Sequence, residues 1–414
     1  MTPEIKQRIE QICRGEVPEG YKKGKLGIVP EEWNETSFST LFTSTSDYTD
    51  DLDTYPLYSL TIEDGITPKT ERYERSHLVK KEDSYKIVRP NDYAYNPMNL
   101  RFGAVARHKG DMPVAVSGYY DIFTTVFESD LPFMDSFLTC GPMITYYNRV
   151  STGSLVEKQR VHFSQFLEFM LPLPSINERT KIAAILTTQD KVIELKGKRL
   201  AEKQRQKKYL MQQLLTGKKR LPGVYGAWSF PKAKELFQSV SDKDHNGDLA
   251  VLSSTQDRGI VPRDEVDIDI KYDACSLVNY KKVSKGNFVI SLRSFQGGIE
   301  YSTYTGLVSP AYTVLSSRKE ISDGYYKQFF KSTDYINRLN VAVYGIRDGK
   351  QISYEDFGRL RIPYPPIKEQ NAIAEVLSTA DHEIDLLQQD IEQEKQKKKA
   401  LMQLLLTGIV RVKT

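Results

Sequence analysis

The chain has 414 residues, enough for two or three domains with cores of their own. Charged residues make up 27% of it, and no apolar run approaches the ~18 residues of a membrane span, which argues against a membrane protein. The net charge of +4 is too small by itself to indicate a polyanionic partner. The start, MTPEIKQRIE, lacks an apolar signal segment, and the 3 cysteines and 5 histidines show no disulfide or metal-ligand spacing. We therefore expect a cytoplasmic protein without disulfides or a metal site.

The first predicted elements in chain order are a short helix and a strand-rich domain. Residues 1–19 are predicted to form an N-terminal helix and linker, and residues 20–171 the first globular domain. Within this domain, Tyr85–Tyr95 and Met112–Phe127 are rich in Val, Ile, Tyr and Phe, which is typical of strands. Leu131–Tyr147 favours short helices.

A long helix is predicted next, over residues 172–217. Pro172 and Pro174 cannot continue a helix, so it begins after them, and Gly217 ends it. Apolar and long side chains then recur in alternating steps of four and three residues, the period of a coiled-coil seam. The seam positions are Ile182, Leu186, Gln189, Ile193, Lys196, Leu200, Lys203, Lys207, Leu210 and Leu214.

The second half follows the same plan, with a globular domain over 218–362 and a final helix over 363–414. Asn287–Leu292 and Leu307–Leu315 predict strands, and Asp323–Leu339 predicts short helices. Each long helix has about 38 residues and is roughly 57 Å long. Neither helix has an apolar face wide enough for a globular core, so the two should pack on each other. The second seam is Ile373, Leu377, Ala380, Ile384, Leu387, Ile391, Glu394, Lys398, Leu401 and Leu405.

The two halves are a tandem repeat. Pro172–Gly217 superimposes on Pro363–Gly408 without a gap, with 20 of 46 residues identical. The globular segments repeat more faintly: Trp33 matches Trp228, and Gly-Ile-x-Pro occurs at 65–68 and 259–262. We therefore predict two pseudo-repeated α/β (α+β) domains, each followed by a long helix, with the two helices packed on each other.

This organisation resembles the specificity subunit of type I restriction-modification enzymes, over essentially the whole chain. The second helix opens with the family's usual Glu369-Gln370, whereas the first has Glu178-Arg179, a departure that could alter one partner contact. The segments that carry the resemblance are Gly27–Trp33, Pro172–Gly217, Gly223–Trp228 and Pro363–Gly408.

The resemblance implies a non-catalytic subunit. Each globular domain would be a target recognition domain that reads one half of a bipartite sequence in double-stranded DNA. The helices would form an antiparallel coiled coil that sets the spacing and scaffolds two methyltransferase subunits and the restriction/translocase subunits. S-adenosylmethionine, ATP and Mg²⁺ would bind those partners, and this chain would carry no cofactor.

Candidate DNA contacts are polar side chains in loops where the two copies differ, or beside the Gly-Ile-x-Pro turns. Bases are read chiefly by Arg, Lys, Asn and Gln, whereas phosphate contacts only position the protein. The alternative for each is a solvated loop charge. The candidates are Lys69, Arg72, Arg75, Asn99, Arg101, Arg107, Lys109, Tyr120, Arg258, Arg263, Arg293, Ser294, Gln296 and Tyr312. The candidates for helix or subunit packing are Glu178, Ile182, Leu186, Ile193, Leu200, Leu210, Leu214, Glu369, Gln370, Ile373, Leu377, Ile384, Ile391, Leu401 and Leu405.

Other functions stay open on the residues alone. Asn96–Asn99 faintly resembles an adenine-methyltransferase motif, and Asp348–Lys350 could imitate the end of a nuclease site, so the chain could be a DNA-cutting or DNA-methylating enzyme. The 25 tyrosines fit either a recognition surface, such as that of a protein-binding adaptor, or a packed core. The basic runs Lys203–Lys208 and Lys395–Lys399 fit either spacer DNA contacts or solvated helix faces.

Overall fold

The structure is a computed structural model that describes residues 2–69, 85–153, 159–266, 274–292, 294–342 and 352–412. Its contacts define two units, one of Met1–Lys196 with Ile391–Thr414 and one of Gly197–Asp390. Each unit therefore contains a globular part and a portion of each long helix. Among the described residues, no helix is long and apolar enough to cross a membrane.

The first unit is built mainly from short strands. Its helices are α1 (Pro3–Cys13), α2 (Leu131–Phe137), α3 (Gly141–Val150), α4 (Phe163–Leu167) and the first half of α5 (Ile176–Leu214). Its strands are β1 (Tyr21–Gly24), β2 (Gly27–Pro30), β3 (Asn34–Ser37), β4 (Phe42–Thr45), β5 (Tyr48–Thr49), β6 (Tyr58–Thr61), β7 (Gly65–Pro68), β8 (Tyr85–Val88), β9 (Tyr93–Tyr95), β10 (Val105–Arg107), β11 (Val114–Ser117), β12 (Asp121–Thr125) and β13 (Met170–Leu173).

The second unit repeats this plan with fewer strands. Its helices are α6 (Ala233–Leu236), α7 (Ser294–Gly297), α8 (Asp323–Phe329), α9 (Thr333–Ala342), α10 (Tyr354–Arg359) and most of α11 (Ile367–Leu405). Its strands are β14 (Phe237–Val240), β15 (Leu252–Thr255), β16 (Gly259–Pro262), β17 (Lys281–Val283), β18 (Phe288–Ile290), β19 (Glu300–Tyr301), β20 (Gly306–Val308) and β21 (Thr313–Ser317).

Each unit has a four-stranded antiparallel sheet with the same order. The first runs β10-β9-β12-β4 and the second β19-β18-β21-β14. Phe123 lies opposite Tyr93 in the first sheet, and Leu315 lies opposite Phe288 in the second. This register makes β10 the equivalent of β19, so Ala106 corresponds to Glu300 and Arg107 to Tyr301.

Aromatic side chains fill both cores. In the first unit the rings of Phe42 and Phe123 meet edge to face with centroids 5.0 Å apart, and Tyr93 stacks on Phe123 at 5.2 Å. In the second, Tyr325 and Tyr326 are fully buried. The core interpretation of the aromatic composition is therefore correct for these tyrosines.

The long helices begin and end where the prolines and glycines predict. α5 and α11 have 39 residues each, and Gly217 and Gly408 follow them with φ of +72° and +71°. Seam positions are buried or half-buried, whereas the off-seam Leu195 and Leu386 are 63% and 51% exposed. The half-buried seam residues include Ile193, Leu200, Leu210, Ile384, Ile391 and Leu401.

The end turns of the helices also join the globular cores, which the sequence did not indicate. In the first unit Ile182, Leu186 and Leu405 belong to the aromatic core. In the second, Leu214, Ile373 and Leu377 do. The prediction that the helices pack on each other did not include these contacts of their ends with the globular cores.

Polar seam residues form cross-helix ion pairs in antiparallel order within each unit. In the first unit, Lys398 lies 2.5 Å from Asp190. In the second, Lys203 lies 2.6 Å from Glu383, and Lys207 pairs with Asp381. These three lysines of the two basic runs therefore pair with carboxylates of the opposite helix. The other residues of the runs are exposed, and among them Lys397 lies 3.5 Å from Glu394 of its own helix.

The polar seam predicts a specific acid sensitivity. Hydrogen bonds from Lys196 (2.8 Å) and Gln189 (2.7 Å) lower the pKa of Glu394 to about 2, from an ordinary 4.5. Because the pKa is lower in the folded state, the carboxylate stabilises the fold above pH 4.5, and this contribution is lost as the pH falls toward 2. Glu394→Gln should weaken this part of the pH dependence in thermal unfolding. The exposed Glu392→Gln serves as control, and an unchanged profile for Glu394→Gln would contradict the assignment.

Candidate nucleic-acid interface

The same β-hairpin is built twice around the Gly-Ile-x-Pro turns. In β6–β7 the hydroxyl of Thr61 accepts a hydrogen bond from the Asp64 N–H at 3.0 Å, and in β15–β16 Thr255 accepts one from the Arg258 N–H at 3.1 Å. A glycine follows each tip, with φ of +70° at 65 and +77° at 259. The three residues between threonine and glycine are exposed in both copies and differ: Ile-Glu-Asp in the first, Gln-Asp-Arg in the second.

A half-buried lysine links the second hairpin tip to its neighbours. The Lys331 ammonium donates to the carbonyls of Gln256 at 3.1 Å and Gly297 at 3.0 Å, and it pairs with Glu300. Burial raises the pKa of Glu300 above its ordinary range, although the Lys331 charge opposes this. Two loops that the sequence nominated separately, the Gly-Ile-x-Pro turn and Ser294–Gly298, therefore meet in one place.

The first unit has a cavity where the second has this ion pair. The repeat places Thr139 at the position of Lys331 and Ala106 at that of Glu300, and both are too small to fill the space. A cavity of about 360 Å³ lies there, between the hairpin tip and β10. Its lining includes Tyr58, Glu63, Asp64, Arg107, Lys109 and Asp135.

Arg107 is held at this cavity by its own chain. Its guanidinium donates to Asp135 at 2.8 and 3.0 Å and to Asn91 at 2.6 Å, and the Tyr93 hydroxyl also donates to Asp135, at 2.7 Å. Burial opposes ionisation of Asp135, but the Arg107 hydrogen bonds and the nearby charges of Lys109 and Arg107 lower its pKa below the ordinary value. Arg107, a predicted DNA contact, therefore has a structural partner. Lys109 also lies 3.2 Å from Asp135, but its side chain is 69% exposed.

The nominated loop in the first domain is also internally bonded. Arg101 donates to Gln159 at 3.0 Å and lies over the Phe102 ring, and its carbonyl accepts from Asn148 at 2.7 Å. Asn99 is exposed. The methyltransferase-like Asn96–Asn99 forms a turn in which the Asn96 side chain accepts the Met98 N–H at 3.1 Å.

Tyr120 and Tyr312 occupy equivalent turns, each fixed by a lysine. The ammonium of Lys86 donates to the Tyr120 carbonyl and that of Lys281 to the Tyr312 carbonyl, both at 2.7 Å. Each tyrosine ring packs against a small aliphatic core. Burial raises the pKa of Tyr120 above its ordinary value.

The Ser294–Gly298 loop turns inward. Ser294 is 1% exposed and its hydroxyl accepts the Ser291 N–H at 2.9 Å, so the structure gives this predicted base contact an internal role. Because Gly297 and Gly298 have no side chains, other parts of the same chain approach them closely. Gly297 packs against the Gln256 side chain, and Gly298 packs against the Phe330 carbonyl. Gln296 is exposed.

We expect Gly298→Ala to destabilise the second unit by about 2 kcal/mol or more. An added Cβ would lie 2.1 Å from the Phe330 oxygen, and Gly298 has φ of +85°. Gly223→Ala is the matched control, because Gly223 has φ of +77° but no heavy atom within 4 Å of an added Cβ. Urea unfolding would measure both, and equal losses would contradict the packing argument.

The remaining predicted DNA contacts fall into two groups, those within the described residues and those outside them. Lys69 and Arg258 are exposed, and Arg263 is half-buried with its Nε donating to the Ser253 hydroxyl at 3.2 Å. Arg72, Arg75 and Arg293, and the nuclease-like Asp348–Lys350, lie outside the described residues.

A carboxylate in the first turn of each long helix binds an arginine and a tryptophan. Glu178 accepts from Arg411 at 2.8 and 3.0 Å and from the Trp33 indole at 3.4 Å. Glu369 accepts from Arg220 at 2.5 and 2.7 Å and from the Trp228 indole at 2.8 Å. The sequence interpretation missed both arginines, although they match at the helix offset of 191, three residues beyond the glycines.

The departure at Arg179 is compensated inside the first unit. Arg179 lies 2.5 Å from Asp130, and the two side chains are 11% and 5% exposed. In the second unit the equivalent Gln370 accepts the Ser322 N–H at 2.9 Å and donates to the Pro365 carbonyl at 2.8 Å. Arg179 therefore contacts its own domain, where the sequence interpretation had allowed a changed partner contact.

Comparisons with known proteins find similarity to specificity subunits of type I restriction enzymes. Residues 226–396 match the family model described as the type I restriction modification DNA specificity domain. The chain is 25% identical over 429 residues to a Methanocaldococcus jannaschii protein provisionally assigned as the type I restriction enzyme MjaX specificity subunit, with 96% of this chain and 98% of that protein covered.

Two solved structures share the fold. A chain from the structure that addresses complex assembly and conformational transition of the type I R-M system has a TM-score of 0.56 at 15% identity, covering 92% of this chain and 99% of that one. The S subunit of a type I restriction-modification system from M. genitalium has a TM-score of 0.51 at 12% identity, covering 90% and 96%.

Proposed function

We propose that this chain, which belongs to the family of type I restriction-modification DNA specificity proteins, is the DNA-recognition subunit of such a system. One globular part would read each half of a bipartite DNA target. The observation that carries the proposal is the repeated hairpin, because one frame presents different exposed side chains in each copy. Two recognition elements that share one fold but read different bases need the same backbone with different exposed side chains.

The proposal assigns the chemistry to other chains. Methyltransferase subunits, two per specificity subunit, would bind S-adenosylmethionine and methylate adenine, and restriction/translocase subunits would use ATP and Mg²⁺. This chain would supply the binding site on DNA and a scaffold. The exposed off-seam residues of α5 and α11, such as Leu195 and Leu386, are available for such partners.

Methylation sequencing of host DNA tests the function, with the gene intact and deleted. We expect a split motif of methylated adenines that disappears on deletion, which would also give both half-sites. An unchanged methylation pattern in cells that produce the chain and its partners would contradict the proposal. Methylation or cleavage by the purified chain alone would favour an enzyme, and absence of salt-dependent DNA affinity with partners present would favour a protein-binding adaptor.

The helices should determine the length of the spacer. Four extra helical residues in α5, with four opposite them in α11, add about 6 Å to the helix pair, which corresponds to roughly two base pairs of DNA. We expect the methylated motif to gain a longer spacer with both half-sites unchanged. The same four residues inserted at the exposed Asp244 are the control. Altered half-sites with the original spacer would refute a ruler role.

A further inference from the structure

Asp64 and Arg258 stand at the same place in the two hairpins and carry opposite charges. Each is the last tip residue, its N–H donates to the threonine hydroxyl three residues before it, and a glycine with positive φ follows it. The backbone is therefore the same at both positions. Only the side chain differs: the Asp64 carboxylate accepts hydrogen bonds, whereas the Arg258 guanidinium donates them.

Both side chains are accessible. Asp64 is exposed beside Ile62, which is itself 51% exposed. The Arg258 side chain is 47% exposed, and within the described part of the chain its Nη2 donates one hydrogen bond to the Glu265 carbonyl at 3.0 Å, with Asp257 4.0 Å away. Because a guanidinium has five N–H donors, this contact leaves it able to address a second acceptor.

The hairpins are held firmly enough to place these side chains. A Cβ added to Gly65 would lie 3.1 Å from the Ala106 Cβ, and one added to Gly259 would lie 2.9 Å from the Tyr301 carbonyl oxygen. Each tip therefore rests directly on the edge strand of its sheet. Side chains that discriminate between bases need such a rigid support, because a small displacement breaks the hydrogen bonds.

Resting on the proposed function, we infer that Asp64 and Arg258 are specificity-determining residues for the two half-sites. A carboxylate only accepts hydrogen bonds, so Asp64 fits a base that presents an amino group in the major groove, either cytosine or adenine. A guanidinium only donates, so Arg258 fits guanine, whose O6 and N7 both accept. The two hairpins thus read complementary hydrogen-bonding patterns from one frame.

Site selection with the full complex tests the assignment. The complex of this chain with its methyltransferase partners would select DNA from a library randomised over both half-sites, as wild type and as Arg258→Ala, Arg258→Asp and Asp64→Ala. We expect Arg258→Ala to lose about tenfold of guanine preference at one position of one half-site, leaving the other half-site intact. Arg258→Asp should transfer that preference to cytosine or adenine. Asp64→Ala should relax one position of the opposite half-site.

Matched controls separate base reading from general electrostatics. Arg359, exposed and paired with Glu355 at 2.5 Å, and the exposed Glu128 offer the same changes of charge away from the hairpins. If the hairpin variants change affinity equally for all sequences, as these controls should, the residues contact phosphates and the inference is wrong. Unchanged selectivity would also overturn it. A wild-type complex that selects no bipartite site would refute the proposed function itself, and the inference with it.

Discussion

Glu369→Ala is expected to lower the free energy of unfolding of the second unit by about 3 kcal/mol. The carboxylate is fully buried and binds the two-pronged guanidinium of Arg220 and the indole N–H of Trp228. Its removal leaves a cation and an indole N–H without their acceptor. Arg220 is 36% exposed and can recover some hydration, which places the loss near the lower end for a broken buried pair.

The two tryptophans make this measurement specific. The chain has only Trp33 and Trp228, one beside each helix-start carboxylate. In a Trp33→Phe background, fluorescence during urea unfolding reports the second unit alone. Glu375→Ala, an exposed site on the same helix, is the control and should cost less than about 0.5 kcal/mol. If Glu369→Ala behaved like this control, the cluster would have no stabilising role.

Asp130→Ser is expected to destabilise the first unit by about 3 kcal/mol, because it leaves the buried Arg179 without a carboxylate. Arg179→Gln should destabilise the first unit by a similar amount, because it leaves the Asp130 carboxylate without its cation. Burial raises the pKa of Asp130 even though the Arg179 charge opposes this. The loss in free energy of unfolding caused by Arg179→Gln should be smaller at acidic pH, because Asp130 is then protonated and its neutral form costs less to bury.

The double variant Asp130→Ser/Arg179→Gln should recover most of the loss. It reproduces the residues Ser322 and Gln370 of the second unit, where the neutral Gln370 side chain accepts the Ser322 N–H and donates to the Pro365 carbonyl. A double-mutant cycle in a Trp228→Phe background, with Trp33 as the probe, should give a coupling of more than about 3 kcal/mol, because the double variant should lose less than either single variant. Strictly additive losses would show that the two positions are not exchanged as a pair.

The sequence by itself determined the architecture of this protein. Prolines and glycines bound each long helix, and the 3.5-residue period predicts the seam, because both act through the local backbone and the spacing of side chains on one helix. The repeat at an offset of 191 residues shows the duplication, and the family resemblance leads to the proposed function. The predicted strand and helix segments match the observed elements, since alternation and composition are also local properties.

Only the tertiary structure decided which charged residues are free. Arg107 and Arg258 look alike in the sequence, yet Asp135, 28 residues away, binds Arg107, while Arg258 stays exposed. Gly297 and Gly298 are needed because a distant helix and hairpin approach them. Such partners are brought together by packing across long sequence separations, and neither spacing nor propensity records them. The architecture follows from local patterns, whereas the set of side chains exposed at the proposed DNA-binding surface depends on long-range contacts.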